Sequence, residues 1–435
     1  MDDQIRSDDP RVRRGLSILQ FLLRDYHPRD FAFRLWDGTT WDAEPGQPAR
    51  FTMVIRHPGA LRRMFLSRHE RTLAQAYIYD DFDIEGHLES AFPMAEYLLG
   101  LHLRLTDRVR IASKLLSLPS DRRPQLGRQS AKLMGATHSI ERDKQAVTYH
   151  YDTSNDFFAL YLDKRMIYSC AYFATPDDNL DMAQERKLDY VCRKLRLQPG
   201  EKLLDIGCGW GGLIIHAAKK YGVTALGITL SEPQANTANQ RIREEGLASR
   251  CRTEVCDYRH VDESVPFDKL VSIGMVEHVG EPKLEEYFRK AWRLLRPGGV
   301  FLNHGIAHGR GRSDDRDPTF SQAYVFPDGE PVPINVSTRR AELAGFEVRD
   351  VESLREHYAL TLRHWVERLE AHHQEAVRAT DEATYRVWRL FMAGSAHQFS
   401  KGGNNIYQSL LVKPDHGRSG LPLTRADWYV ASGRE

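Results

Sequence analysis

The sequence predicts an α/β protein: a doubly wound, Rossmann-like parallel sheet preceded by a smaller α/β module. Three observations carry this. After residue 200, short apolar segments alternate with helical patterns, the signature of a parallel sheet covered by helices. A glycine-rich turn, Gly207-Cys208-Gly209-Trp210-Gly211-Gly212, follows the first of those segments. Residues 31–84 carry shorter alternating runs broken by turn residues, which sets them apart as a module of their own. With 435 residues the chain has room for two or three domains.

In the N-terminal part, Phe31, Phe33 and Leu35 alternate, Asp37-Gly38 supplies a turn, and Phe51, Met53 and Ile55 alternate again, so 31–57 reads as a hairpin. His57-Pro58-Gly59 starts a short helix bearing Leu61, Met64 and Phe65, and Tyr77 to Ile84 reads as a strand. From Tyr97 to Leu118 apolar residues recur at 98, 101, 105, 109, 112 and 116 with helical spacing, among Arg104, Arg108, Arg110 and Lys114. Between 101 and 144 ten Lys/Arg face four Asp/Glu. Two readings stand, a core-packed helix with a solvated face, which the pattern favours, and a basic amphipathic helix lying on an anionic bilayer. The polar stretch from Pro119 to Gly135 reads as a linker. Further on, 202–207, 223–229, 252–255, 269–273 and 300–306 read as strands, with helices over 213–221, 233–245 and 284–295. Ligands of such sheets lie beyond the carboxyl ends of the strands.

Composition narrows the function. Lys and Arg total 61 against 60 Asp and Glu, a net charge of +1, so nothing points to nucleic acid. No apolar run approaches the roughly 18 residues that span a bilayer. Met1-Asp2-Asp3-Gln4 leads into no apolar targeting segment, and the five cysteines show no paired metal-ligand spacing. A reduced, cytoplasmic protein without a metal is expected.

The glycine turn satisfies G-x-G-x-x-G at Gly207, Gly209 and Gly212, so a dinucleotide must be weighed. Two features oppose it. Asp205 precedes the first glycine by two residues, where a carboxylate crowds a pyrophosphate but suits a cationic amino-acid ligand. The second strand ends in Thr229-Leu230-Ser231, without the acidic residue an NAD ribose calls for. The D-x-G-x-G form therefore points to S-adenosylmethionine. Asp257-Tyr258, after the third strand, fits a hydrogen bond from an adenine amino group beside an aromatic wall, and fits a plain polar loop equally well.

Several separated stretches, in order, resemble the cyclopropane-fatty-acyl-phospholipid synthases and their mycolic-acid relatives: His150-Tyr151-Asp152, Tyr168-Ser169-Cys170-Ala171-Tyr172-Phe173, Leu204–Gly212, Gly227-Ile228-Thr229-Leu230-Ser231 and Gly274-Met275-Val276-Glu277-His278-Val279-Gly280. The resemblance spans roughly 140–412 and, more loosely, the N-terminal module. It implies a lipid-binding-like domain over 1–118, a linker over 119–139, a methyltransferase domain over 140–412 and a C-terminal tail over 413–435, to which no role is assigned. It further implies methylene transfer from S-adenosylmethionine to a cis double bond of a phospholipid acyl chain, with bound bicarbonate as base held by Cys170, Glu277, His304, Ile306 and Tyr358. Cofactor positions carried over are Tyr168, Ser169, Gly207, Gly209, Thr229, Leu230 and Gln234, with Asp205 a supporting acid under the turn.

The chemistry is coherent. An alkene that attacks a sulfonium methyl leaves a carbocation, which a small anionic base nearby would both stabilise and deprotonate. His304, Tyr358 and the backbone N–H groups of Cys170 and Ile306 can donate to a carbonate oxygen, and Glu277 can accept from the bicarbonate hydroxyl. Taken singly, Cys170, His304 and Tyr358 read as core residues; Glu277, after an apolar strand at the ligand edge, is the hardest to dismiss. Tyr149 to Asp152 is expected to cover the site, and Phe320–Ile334 to wall an acyl channel. Of Leu362, Trp365, Leu369, Trp388, Phe391 and Met392, in the helices from Tyr358 to Phe399, most are expected in the core and a minority facing substrate. Rival readings are a methyltransferase that leaves a branching methyl or methylene on the same alkene, an NAD-linked oxidoreductase, and a non-catalytic lipid-binding protein. Peripheral attachment to the anionic inner membrane face is expected, and a homodimer is compatible with the sequence.

Overall fold

A computed structural model of the chain describes residues 8–67, 69–120, 124–151, 153–308 and 318–429. These fall into two compact units. The first takes in described residues of 1–130, 317–325 and 380–397, and the second those of 131–316, 326–379 and 398–435. The division after Ser130 lies inside the stretch expected as linker, and two later segments, within 140–412, join the first unit.

The first unit carries α1 (Pro10–Leu22), β1 (Ala32–Arg34), β2 (Thr40–Trp41), β3 (Phe51–Ile55), α2 (Gly59–Leu66), α3 (Glu70–Ile78), β4 (Phe82–Gly86), α4 (Phe92–Gly100) and α5 (Leu105–Leu116). Its sheet runs β2-β1-β3-β4. The hairpin expected over 31–57 is shorter: β1 turns back through Asp37-Gly38 into β2, and β3 pairs with β1 in parallel. The strand expected from Tyr77 is a correction too. Residues 70–78 are helical, Asp80 turns the chain at φ +60°, and only 82–86 pairs with β3. The helix from Glu382 is anchored in this unit by Arg386, whose guanidinium reaches Asp80 Oδ1 and Asp83 Oδ2, both at 3.0 Å.

One face of α5 differs from the favoured reading. Ile111 and Leu115 are its buried residues, whereas Leu105, Val109 and Leu116, the periodic positions, are 76%, 63% and 54% exposed. The chain also breaks between α4 and α5, so the spacing across 97–118 joins two helices of different phase.

The second unit carries α6 (Ile140–Tyr151), α7 (Asn155–Ala159), α8 (Leu180–Leu195), β5 (Lys202–Ile206), α9 (Gly212–Tyr221), β6 (Thr224–Thr229), α10 (Glu232–Glu244), β7 (Cys251–Val255), β8 (Phe267–Ile273), α11 (Leu284–Leu294), β9 (Leu295–His308), α12 (Ile334–Leu343), β10 (Glu347–Ser353), α13 (Arg355–Ala371) and β11 (Asn404–Val412). The seven strands run β10-β11-β9-β8-β5-β6-β7. Strands β5 to β9 are parallel, as expected, and β11 inserts antiparallel between β9 and β10. Leu203, Ile214, Val271, Leu302 and Leu410 belong to one apolar core cluster and Leu204, Leu270, Phe301 and Leu411 to another, consistent with burial on alternating sheet faces. The tail is docked at Trp428, which is buried, with its carbonyl accepting Arg193 Nη1 at 2.7 Å.

Candidate active site

The carboxyl end of β5 opens into the glycine turn. Gly207 sits at φ +87°, a conformation that disfavours any side chain, and a Cβ on Gly212 would overlap Ile167 Cδ1. The glycines thus let the segment 165–169 lie directly on the start of α9. Around the turn is a cavity whose lining includes all ten cofactor positions read from the sequence: Tyr168, Ser169, Asp205, Gly207, Gly209, Thr229, Leu230, Gln234, Asp257 and Tyr258. Tyr151 of the expected covering segment lines it as well, while His150 is buried with its ring stacked 4.0 Å from Phe326. Asp152 lies outside the described residues.

Hydrogen bonding refines several roles. Thr229 Oγ1 donates to Gln234 Oε1 at 2.8 Å and accepts from Ser231 N at 3.1 Å, so this hydroxyl fixes the start of α10. Asp257 is held by Arg259, which donates Nε to Oδ1 at 2.8 Å and Nη2 to Oδ2 at 2.6 Å and also reaches Asp143 at 2.9 Å. Burial opposes charge on Asp257, but the Arg259 hydrogen bonds outweigh it and hold the carboxyl below its ordinary value. Arg259 was not singled out from the sequence, where it is one cation in a polar loop.

Lys187 was missed as well. It projects from α8 onto the cavity, 1% exposed, and donates Nζ to Ser169 Oγ at 3.0 Å. Gln184, one turn earlier, donates Nε2 to Ser169 O at 2.8 Å, so α8 braces the Tyr168–Cys170 segment from behind. Burial pushes Lys187 down to about 8, opposed by Asp163, and pushes Asp205 up to about 7, opposed by Lys187. The only signal in the sequence was phase, since Lys187 shares the buried face of α8 with Ala183, Gln184 and Leu188.

None of the five residues expected to hold bicarbonate is among those that line this cavity. Cys170 is fully buried, its backbone neighbour Ala171 N donates to Thr361 Oγ1 at 3.0 Å, and its Sγ lies 3.7 Å from Leu354 O. These bonds tie the segment to α13, which carries Tyr358. Burial drives both the Cys170 thiol and the Tyr358 phenol up, the latter with further contributions from Cys170, Glu277 and Tyr151 nearby. Cys170 is thus a thiol, not a nucleophile. Glu277 follows β8 on a short turn that presses on β9, where a Cβ on Gly305 would overlap Val276 Cγ1. That approach lets Glu277 Oε1 accept from Ile306 N at 2.6 Å. The Ile306 N–H, expected as a donor to bicarbonate, is therefore spent on Glu277.

Glu277 Oε2 and His304 Nε2 are among the buried atoms of the described residues without a hydrogen-bond partner, as is Gln408 Oε1 on β11. Burial pushes Glu277 up to about 7, against the pull of the Ile306 N–H. Burial, together with Lys187 and Lys194, drives His304 well down, so it is neutral. Gln408 Nε2 faces His304 Nδ1 at 3.4 Å; as donor it leaves the ring proton on Nε2. His304 and Ile306 share one face of β9 by strand alternation.

Aromatic rings close the space around the cavity. Tyr168 stacks on Trp365 at 5.1 Å and packs against Phe158, and Tyr151 meets Trp210 at 6.0 Å. Trp365, one of six large apolar residues expected to divide between core and substrate, is buried and touches a cavity residue. Of the expected channel wall, Phe326 to Ile334 lies in the second unit, and Glu330 N donates to Glu277 O at 2.8 Å. Phe320 to Val325 belongs to the first unit.

The fold and the glycine-turn cavity define an S-adenosylmethionine-dependent methyltransferase. Residues 138–409 match the family described as mycolic acid cyclopropane synthetase. A probable fatty acid methyltransferase of Pseudomonas putida is 40% identical over 400 residues, 91% of this chain and 95% of that protein. The solved cyclopropane synthase MmaA2 of Mycobacterium tuberculosis superposes with a TM-score of 0.59 at 34% identity, covering 62% of this chain and 97% of that one. The mycolic acid cyclopropane synthase CmaA1, solved with SAH and CTAB, gives 0.58 at 36% identity over 62% and 97%. The chain belongs to the mycolic acid cyclopropane synthetase family.

Proposed function

We propose that this protein transfers a methylene unit from S-adenosylmethionine to the cis double bond of unsaturated phospholipid acyl chains, closing a cyclopropane ring, at the inner face of a membrane. One observation carries the reading: Glu277 Oε2 is buried and unpartnered, with Tyr358 near enough to both Glu277 and Cys170 to feel their charge, and His304 Nε2 on β9 is buried and unpartnered too. An orphan acceptor and an orphan donor together suit a small anion that still bears a proton, as bicarbonate does. His304 Nε2–H and the Tyr358 hydroxyl would hold its oxygens, and Glu277 its hydroxyl. When bound, S-adenosylmethionine supplies the methyl group and bicarbonate the base for the proton lost on ring closure.

The chain's own residues do the rest. The glycine turn admits the cofactor to the main chain, and the paired charges of Lys187 and Asp205 set the field under it. The bond from Ile306 N keeps Glu277 directed at the site. The rings of Tyr168, Trp365 and Tyr151 exclude water, and their faces favour positive charge where it develops. No helix among the described residues is long and apolar enough to cross a membrane, which suits peripheral attachment.

A second reading has one observation behind it, the name of the Pseudomonas putida relative. A methyltransferase that leaves a branching methyl or methylene shares the cationic intermediate and differs in the fate of one proton. Fatty-acid analysis of a bacterial host lacking its own cyclopropane synthase separates the two. Products one CH2 heavier, with upfield ring protons by NMR and lost in Glu277→Gln, are expected. Heavier products without ring signals establish the branching enzyme, and no heavier product alongside soluble protein refutes both.

A further inference from the structure

We infer that α5 is the membrane-docking element of the first unit, and that its occupant is an anionic lipid surface. The inference rests on the lipid reading above for its purpose, but not for its observations. Leu105, Val109 and Leu116 are 76%, 63% and 54% exposed. At 100° per residue they fall within about 40° of arc, so they form one stripe rather than scattered apolar side chains. Ile111 and Leu115 hold the opposite side of the helix in the core. Isolated exposed leucines need no explanation, whereas a helical stripe of three does.

The borders of the stripe name the partner. Arg108 flanks it on one side and Arg110 lies beyond the other, with Arg104 just before the helix; all three are exposed. The one acidic residue of α5, Asp107, is half-buried and sits 4.0 Å from Arg24 Nη2. Lys114, which the charge pattern alone would include, is excluded, because its Nζ donates to Ser17 Oγ at 2.5 Å. An aliphatic stripe edged by arginines is the arrangement of helices that lie in the boundary between headgroups and acyl chains. A second copy of this chain fits poorly. Three side chains fall far short of the roughly 800 Å² per partner that a stable interface buries, and a symmetric pairing would set arginines against arginines.

The test is sedimentation of the full-length protein with vesicles of pure phosphatidylcholine and of phosphatidylcholine with phosphatidylglycerol. The wild type should bind the anionic vesicles at low salt, and the triple variant Arg104→Gln, Arg108→Gln, Arg110→Gln should bind on the order of 100-fold more weakly. Leu105→Gln with Val109→Gln and Leu116→Gln should remove the binding that survives high salt. Lys219→Gln, a charge removed from the second unit, should change nothing. Unchanged amide exchange in β3 and β4 shows that the first unit of each variant is folded. Wild-type protein that ignores anionic vesicles, or α5 variants that bind as wild type does, overturn the inference. A stripe variant that changes only the oligomeric state assigns the stripe to a second copy and overturns it too. Vesicle binding that depends on α5 while host fatty acids stay unmodified upholds the docking and refutes the catalytic reading instead.

Discussion

Glu277→Gln should stabilise the protein while abolishing its chemistry, and the stabilisation should depend on pH in a defined window. Burial pushes this carboxyl from an ordinary 4.5 to about 7. At about 1.36 kcal/mol per pKa unit, keeping it ionised in the fold costs about 3 kcal/mol. The sign follows from which state holds the proton more tightly. The folded protein does, so the wild type keeps its full stability below pH 4.5, loses it progressively as the pH rises, and has lost the whole amount above about 7. Glutamine does not titrate, and its Oε1 can still accept from Ile306 N. Relative to wild type, the variant should therefore gain about 3 kcal/mol across that window. Amide exchange in β9 reads the second unit directly, in buffers purged of carbon dioxide so that no bicarbonate binds. The exchange ratio of the two proteins, free of intrinsic pH effects, should shift by roughly 100-fold between about pH 5 and about pH 8.5. A ratio that stays constant would mean that Glu277 is not a desolvated acid, and the reasoning about the site would fail with it.

Lys187→Met should raise the KM for S-adenosylmethionine about 10-fold while kcat moves less, since the ammonium braces Ser169 and opposes protonation of Asp205. Without it Asp205 titrates higher, so affinity for S-adenosylhomocysteine should recover as the pH is raised, and Lys187→Arg should restore part of it; a pH-independent loss would argue for packing alone. Gly305→Ala should force Val276 away from β9, part Glu277 from Ile306 and stop lipid modification, with cofactor affinity retained by titration calorimetry. Trp428→Ala should cost about 3–5 kcal/mol and lower the melting temperature, because the ring is buried on the second unit's core cluster. S-adenosylmethionine should release more protons on binding than S-adenosylhomocysteine near neutral pH, measured by calorimetry in two buffers of different ionisation enthalpy; equal release would place Asp205 and Glu277 outside the cofactor's field.

The parallel strands of the second unit were legible to within a few residues because each is a short apolar run closed by a turn, with a helical period between. β11 was not, because its interior holds Gln408 and Ser409, both buried, and polar residues at core positions erase the pattern. The ten expected cofactor positions line one cavity; eight of them lie at or just past the ends of β5, β6 and β7 in contiguous motifs, and Tyr168 and Ser169 reach it from the segment before α8. Arg259 and Lys187 were hidden for a physical reason: nothing in a local pattern tells a solvated cation from one turned inward onto a carboxylate or a serine. α5 shows the opposite failure. Within the helix the spacing of Leu105, Val109 and Leu116 does give one apolar face, and that face points to solvent, since periodicity fixes which residues share a side of a helix and not what that side meets.

The electrostatics of the second unit explain why so many buried ionisable groups are tolerated near the carboxyl edge of its sheet. Asp205 and Glu277 are pushed up to about 7, Lys187 down to about 8, and His304 far enough down to be neutral. Before a ligand arrives, the buried charge is therefore small, and each acid stands near the middle of its titration at neutral pH. A cation brought into such a site favours the carboxylate form of both acids, so the field that stabilises it strengthens as it enters. Fixed, fully ionised carboxylates would make the empty fold pay their desolvation throughout; acids poised to ionise defer most of that cost until the positive charge is present. In the proposed reaction the same poise would serve a sulfonium and a transient carbocation, and the two acids stand on different strands of one sheet, Asp205 at the end of β5 and Glu277 after β8. β5 and β8 are neighbours in that sheet, so both acids stand at its carboxyl edge, where ligands of such sheets bind.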